Sequence, residues 1–388
     1  MAKSLSMGVA GSLKVIGSRL REARSTTGLS TRSVALRLQQ AGHAITHATL
    51  SNYETGKTVP PLAILGALAL VYERSREWFY ASGPSLTGVR YRALKAVRVA
   101  DKRGFEGEAL GWLSAYLAIE TLVSDPPKAP ANFTIKPTES GASVAKRIRD
   151  FYRLGSYPLP SAVRLAENFG IYVIQLASAA RIDGFAAMLG SVPVVVVNSS
   201  LSNDRIRINV AHELAHHLFS DCVVGATLTE AEIEKRAMEC GSHLLIPDEA
   251  LVDAFALKSM VRLVQYKERY GVSLAAMIYR AKPAKLLTER EYQHLWIEFG
   301  RLGWRKDEPG YVPPDRPVRM EALFDAAVRE NKTTFAEVAT LAGVDERVVR
   351  QRVMSALGGT TETADGRREL NPMRIDNYRH DQTKSKEF

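Results

Sequence analysis

Apolar positions along this chain recur mostly at helical spacing. Near the start, Val15, Ile16, Leu20 and Ala23 fall on one face of a segment over 14–25, as 3.6 residues per turn requires. Ser30 and Thr31 supply a cap for a second helix that runs to Gln40 with Val34, Ala35 and Leu38 inward. A third starts near Thr46 and stops at Thr55-Gly56. Pro60 and Pro61 open a fourth, strongly apolar through Val71. Residues 90–123 read as two more helices, with Trp112, Tyr116 and Leu117 on a buried face.

The pattern then breaks at SDPPKAPANFTIKP, where Pro126, Pro127 and Pro130 crowd together. Helical spacing resumes over 143–154 and 161–169. β-branched runs follow at 171–176 (IYVIQL) and 192–197 (VPVVVV), two predicted strands, and Gly184 and Gly190 bracket what could be a third. From Thr229 the chain is helical again, up to a polar, proline-rich linker at 303–319. Short helices follow to about Ala356, then a charged tail expected to be disordered.

The expected fold class is therefore α+β and mostly helical. The expected organisation is an all-α unit over 1–80, a helical connector over 81–142, a domain with a small sheet over 143–302, a C-terminal helical unit over 303–358, and a disordered tail over 359–388.

Composition changes this picture in two ways. The net charge of +10 favours polyanionic partners, nucleic acid first. The only cysteines, Cys222 and Cys240, form no CxxC pair, which excludes a disulfide framework and a cysteine zinc finger and suits a reducing compartment. No run of about 18 apolar residues is present, and the N-terminus lacks the apolar core of a signal peptide. The expectation is a cytoplasmic protein with no membrane partner.

The segment NVAHELAHHLF carries the chemistry. His212 and His216 are four residues apart, so a helix puts both imidazoles on one face. Such a pair can grip one Zn²⁺, and Glu213 is placed to take a proton from water at the metal's open position. The flanking Val210, Ala211, Leu214, Ala215 and Leu218 suit a buried helix. A catalytic zinc needs a third protein ligand. Glu230, Glu232, Glu234 and Glu239 on the following helix are all candidates, and the spacing does not choose between them. His217 is rotated off the ligand face and His243 lies toward the opposite side of its helix, so both are expected to be non-ligands.

Here the sequence resembles the ImmA/IrrE metallopeptidases. That family joins a helix with A-H-E-x-x-H to a second motif, E-x-x-A-N-x-F-A-x-x-L-L-x-P. Arg207, Ala211, His212, Glu213 and His216 match the first part, and Glu234, Ala237, Leu244, Leu245 and Pro247 the second. The resemblance spans roughly residues 90–319. It implies a zincin-like fold, a zinc-dependent metalloendopeptidase of gluzincin type, Glu234 as third ligand, and a repressor-like protein substrate in stress response or mobile-element control. Two positions depart from the pattern: Met238 stands where the family has Asn, and Cys240 where it has an aromatic. Met238 cannot accept a strong hydrogen bond, and a lost partner behind a metal ligand costs roughly 10–100-fold in metal affinity or activity. Asp221 and Glu230 are the groups that could stand in. The residue that would stabilise the tetrahedral intermediate is left open among Tyr266, Tyr279 and Arg207.

At the N-terminus, LSTRSVALRLQQAGHAITHATLSNYETGKTVP reads as a helix-turn-helix. The third helix presents His47, Ala48, Thr49 and Asn52 outward, with Leu50 and Tyr53 inward. Polar residues there would read base edges in the major groove of duplex DNA, while Lys57, Arg32 and Arg37 suit phosphates. The run L-S-N-Y-E-T-G-K-x-x-P resembles the Xre/Cro repressors, with a longer turn, AGHAI. A second function is also open: a transcriptional repressor or toxin–antitoxin component in which the peptidase fold is a binding platform. Its protein partner would then be a repressor or antitoxin, and a homodimer is one open assembly state.

Overall fold

The computed structural model describes residues 15–357, apart from 25–26, 73, 75, 81–84, 94–96, 124–128, 131–132, 137, 179–181, 220–227 and 258. The tail expected to be disordered, together with Asp221 and Cys222, lies outside the described residues.

Four short helices come first among the described residues: α1 (15–24), α2 (Thr31–Gln40), α3 (His47–Glu54) and α4 (Leu62–Val71). Their ends follow the capping rules. The Ser30 and Thr46 hydroxyls accept from the backbone N–H groups of Ser33 and Thr49. Ile16, Leu20, Val34, Leu38, Leu50, Tyr53, Leu65 and Leu68 close a small core of their own. Arg24 clamps the buried Glu54 carboxylate with two guanidinium nitrogens, at 2.5 and 2.8 Å, which ties α1 to the end of α3.

The next segment departs from expectation. Instead of two helices, residues Leu86–Ala93 form strand β1, and a single helix, α5, runs from Val99 to Val123. The run LTGVRYRA has the β-branched and aromatic content of a strand, but its pairing partner is β3 (Ile182–Leu189), about a hundred residues downstream. Nothing local announces such a pairing. The expected helical connector is therefore part strand.

With β2 (Tyr172–Leu176) and β4 (Val192–Asn198), β1 and β3 make a four-stranded sheet in the order β1-β3-β4-β2. The β1–β3 and β3–β4 pairs are antiparallel and the β2–β4 pair is parallel. Both faces are covered, which explains the unbroken VVVV run. Val195 and Val197 join one core with α6 (Gly141–Phe151), α7 (Ala162–Asn168), α8 (Asn203–Leu218) and α9 (Glu230–Leu245). Val194 and Val196 join the other, with Trp112 and Tyr116 of α5 and the last three helices, α14 (Arg319–Arg329), α15 (Phe335–Ala342) and α16 (Glu346–Ala356). The segments expected to be a connector and a separate C-terminal unit thus share one apolar core with the sheet. Between α9 and α14 lie α10 (Asp248–Phe255), α11 (Met260–Tyr270), α12 (Leu274–Ala281) and α13 (Glu289–Arg301).

The proline-rich stretch 303–319 is also not a loose linker. Its Glu308 carboxylate accepts from Lys267 Nζ and from the N–H groups of Leu274 and Ala275 at the start of α12. Its Asp315 is buried and accepts from Ser161 Oγ, Ala162 N and Arg207. Two carboxylates in a polar run read as solvated until the donors that surround them are known.

The N-terminal helices touch the C-terminal ones through Arg74, whose guanidinium donates to the Thr340 carbonyl at 3.3 Å. It lies against Gly343, which caps α15 with φ 71°. A Cβ at Gly343 would fall 1.7 Å from an Arg74 nitrogen, so both the left-handed turn and the contact require glycine there. No helix of the described residues is long and apolar enough to cross a membrane.

Candidate functional site

Helix α8 runs between the sheet and α9, so it is buried on several sides, and His212, Glu213 and His216 are all nearly inaccessible. Helix α9 starts with a capping box, in which the Thr229 hydroxyl and the Glu232 carboxylate satisfy each other's backbone N–H groups. It approaches α8 closely at Gly241, where an added Cβ would come within 3.0 Å of the His212 backbone nitrogen. The other face of α9 meets α6 through Gly141, again with no room for a side chain.

This packing sorts the four glutamates. Glu232 is consumed by the cap. Glu239 accepts from the Gly141 N–H at 3.0 Å. Glu230 pairs with Arg90. Glu234 alone of the four turns to the histidines, with its two oxygens 3.2 Å from His212 Nε2 and 3.3 Å from His216 Nε2. The two Nε2 atoms are themselves 2.9 Å apart, with the rings nearly perpendicular at 83°. Donors around a four-coordinate zinc with bonds of about 2.0–2.1 Å stand roughly 3.4 Å from one another, so the spacings fit a single ion. His212, His216 and Glu234 are the one group of such donors found among the described residues. Two buried imidazole nitrogens and a carboxylate aimed at one point are a donor set that could hold one metal ion.

The electrostatics suit that use. Burial pushes the His212 imidazole down to about 4, so it is neutral and free to donate a lone pair at neutral pH. Hydrogen bonds from His212 and then His216 hold the Glu234 carboxyl far below the usual carboxylate range. Glu234 is half exposed and marks the mouth of the site. Burial pushes Glu213 up to about 7, a proton affinity matched to a general base near neutrality.

Other expectations meet the geometry in different ways. His217 turns to the Val194 carbonyl on β4, and His243 to the Glu239 carbonyl and Asp248. Buried Nδ1 of His212 has no hydrogen-bond partner among the described residues. Glu230, one suggested substitute, is occupied with Arg90 instead. None of the three groups considered for the tetrahedral intermediate lines the cleft. Arg207 is turned away into a clamp of Asp315 and the Leu159 and Pro160 carbonyls. Tyr266 binds Asp253, and Tyr279 is exposed. The cations that do line it were missed: Arg90 and Arg92 of β1, with Tyr91 between them, join His212, Glu213, His216, Glu230 and Glu234 around a cleft of about 250 Å³. The alternation R-Y-R was the available signal, once the segment is taken as a strand.

At the N-terminal unit, His47, Ala48 and Asn52 of α3 and Lys57 after it are exposed, and Thr49 is partly so. Arg32 and Arg37 are exposed on α2. Leu50 and Tyr53 face the core.

Comparison with known families agrees with both halves. Residues 166–282 match the peptidase M78 model, described as an IrrE N-terminal-like domain, a narrower span than the motif resemblance. Residues 15–78 match a helix-turn-helix domain. No curated protein matches the chain. The match over 166–282 runs from the end of α7 through α12 and includes α8, α9 and the three donors, so this stretch is similar to the IrrE N-terminal-like peptidase M78 domain, and a helix-turn-helix match precedes it in the chain.

Proposed function

We propose that the chain is a DNA-binding regulatory zinc metalloendopeptidase that cleaves a repressor-like protein partner, in stress response or mobile-element control. The observation that carries this reading is the convergence of His212, His216 and Glu234 on one point with Glu213 beside them. A bound zinc would supply Lewis-acid activation of water. Glu213 takes the proton as water attacks the scissile carbonyl and returns it to the leaving amine. Its burial excludes bulk water from that exchange. Glu234, at the mouth, keeps the third ligand on the side from which an extended substrate enters. Residues His47, Thr49 and Asn52 would read base edges, with Lys57, Arg32 and Arg37 on phosphates.

One observation favours a second reading. The His212 Nδ1 atom lacks, among the described residues, the partner that normally fixes a metal-bound imidazole, which points to a repressor or toxin–antitoxin component whose peptidase fold binds without turnover. The test is incubation of the zinc-loaded chain, and of Glu213→Gln, with the product of the adjacent gene. Cleavage by the wild type and a loss of about 10²–10⁴-fold in the variant support the peptidase. Binding without cleavage overturns it in favour of the platform.

A further inference from the structure

One arginine nitrogen in the wall of the cleft has no hydrogen-bond partner among the described residues. Strand β1 pairs Arg90 with Ala186, Tyr91 with Phe185 and Arg92 with Gly184 in regular register. Alternation along a strand therefore puts Arg90 and Arg92 on the same face, while Tyr91 packs its ring against Phe185 on the other. Both arginines line the cleft of the histidine–glutamate triad. Their situations differ. Arg90 donates to Glu230 and Glu234. Arg92 has its Nη1 atom buried, without a hydrogen-bond partner among the described residues. A buried charged donor left without an acceptor is costly, and such a group at the wall of a reactive cleft is set to receive an acceptor from outside.

We infer that Arg92 is the oxyanion-binding residue of this site, and that the cleft takes a tetrahedral oxyanion between Arg92 and the triad. The inference rests on the peptidase reading and lies outside the 166–282 match. In amide hydrolysis the oxygen of water bonds to the carbonyl carbon, the π pair moves onto the carbonyl oxygen, and the proton of water passes to Glu213. The oxygen now carries a full negative charge. The Nη1–H of Arg92 donates to it, strengthening as charge develops, which is the condition for catalysis rather than mere binding. When the C=O bond re-forms, the C–N bond breaks and the proton returns from Glu213 to the amine. Among the described residues, no arginine or lysine lines the cleft besides Arg90 and Arg92, and Arg90 is committed to holding Glu234 in place.

The experiment uses the full chain loaded with cobalt(II), whose visible spectrum reports ligands at the metal, and inorganic phosphate as the probe. Cobalt stoichiometry is read first. A wild type that takes up no cobalt defeats the metal reading itself and this inference with it. With one cobalt bound, phosphate is expected to perturb the spectrum saturably. Arg92→Met should weaken phosphate by about 10–100-fold, the worth of a hydrogen bond to a charged group, with cobalt content unchanged, and Arg92→Lys should recover part of the loss. Equal phosphate affinity in Arg92→Met, or no response in the cobalt-loaded wild type, overturns the assignment. Should Arg92→Met fail to fold, phenylglyoxal labelling of the wild type followed by peptide mass mapping decides. Saturating phosphate is expected to slow modification at Arg92, and an unchanged rate there overturns the proposal.

Discussion

Arg207, four residues ahead of Ala211 on the site helix, donates to the Asp315 carboxylate across 2.8 Å, and both side chains are almost fully buried. The same guanidinium donates to the Leu159 and Pro160 carbonyls, and the same carboxylate caps α7 at Ala162. The pair thus pins α8, α7 and the 303–319 strap at one point.

Breaking that pair from one side should destabilise the domain rather than alter its chemistry. Asp315→Ala leaves a buried guanidinium uncompensated, and such losses typically cost about 3–5 kcal/mol. Urea denaturation of Asp315→Ala, Arg207→Met and the double variant checks this. The double variant is expected to lose less than the sum of the singles, because the second change removes the charge that the first one stranded. Additive losses would show that the two side chains act independently.

Elemental analysis of the purified chain is expected to give one zinc per molecule. His216→Ala and Glu234→Ala should each lower the zinc content, and a buried Gly241→Val should do so without touching a ligand. The valine would push α9 from the His212 backbone, at an overpacking cost of about 1–3 kcal/mol, and carry Glu234 out of reach. Full zinc in both ligand variants would remove the site assignment, and full zinc in Gly241→Val would show that the helices reseat without loss.

The helix-turn-helix face makes a separate prediction. Asn52→Ala should cost about 1–3 kcal/mol on a selected duplex and little on random DNA, since base contacts discriminate. Lys57→Ala should weaken both equally and flatten the salt dependence by about one unit. Titrations at two salt concentrations read both effects. A wild type that prefers no selected sequence would make these helices a protein-contact unit.

One carboxyl away from the histidine–glutamate cluster gives a pH dependence. Burial, with the Glu321 charge adding to it, pushes Glu167 up to about 8 despite the opposing Arg319. Its folded value therefore lies above its unfolded one. The unfolded chain ionises first as pH rises, so the folded state binds more protons and stability falls between about pH 4.5 and pH 8. Glu167→Gln should match the wild type near the bottom of that window and exceed it above the top. Urea midpoints across the range test this, and parallel curves would mean that Glu167 ionises alike in both states.

Local rules alone determine much of this protein from its sequence. A four-residue spacing places His212 and His216 together wherever a helix forms. The serine and threonine caps delimit α2 and α3 because their bonds close within three residues. The same holds for the inward face of the first four helices, and for β2 and β4, whose β-branched runs declare themselves. Tertiary contacts decided the rest. Four glutamates on one helix are equivalent by type, and only the seating of α9 on α8, through Gly241, separates Glu234 from the three that serve the cap, Arg90 and Gly141. Leu86–Ala93 becomes a strand through a partner a hundred residues away, and that pairing alone brings Arg90 and Arg92 to the cleft. Asp315 and Glu308 read as solvent-facing until Arg207, Lys267 and two helix N-termini close around them. Hydrogen bonds within a turn depend on neighbours in the chain, whereas a buried charge depends on which distant donor reaches it.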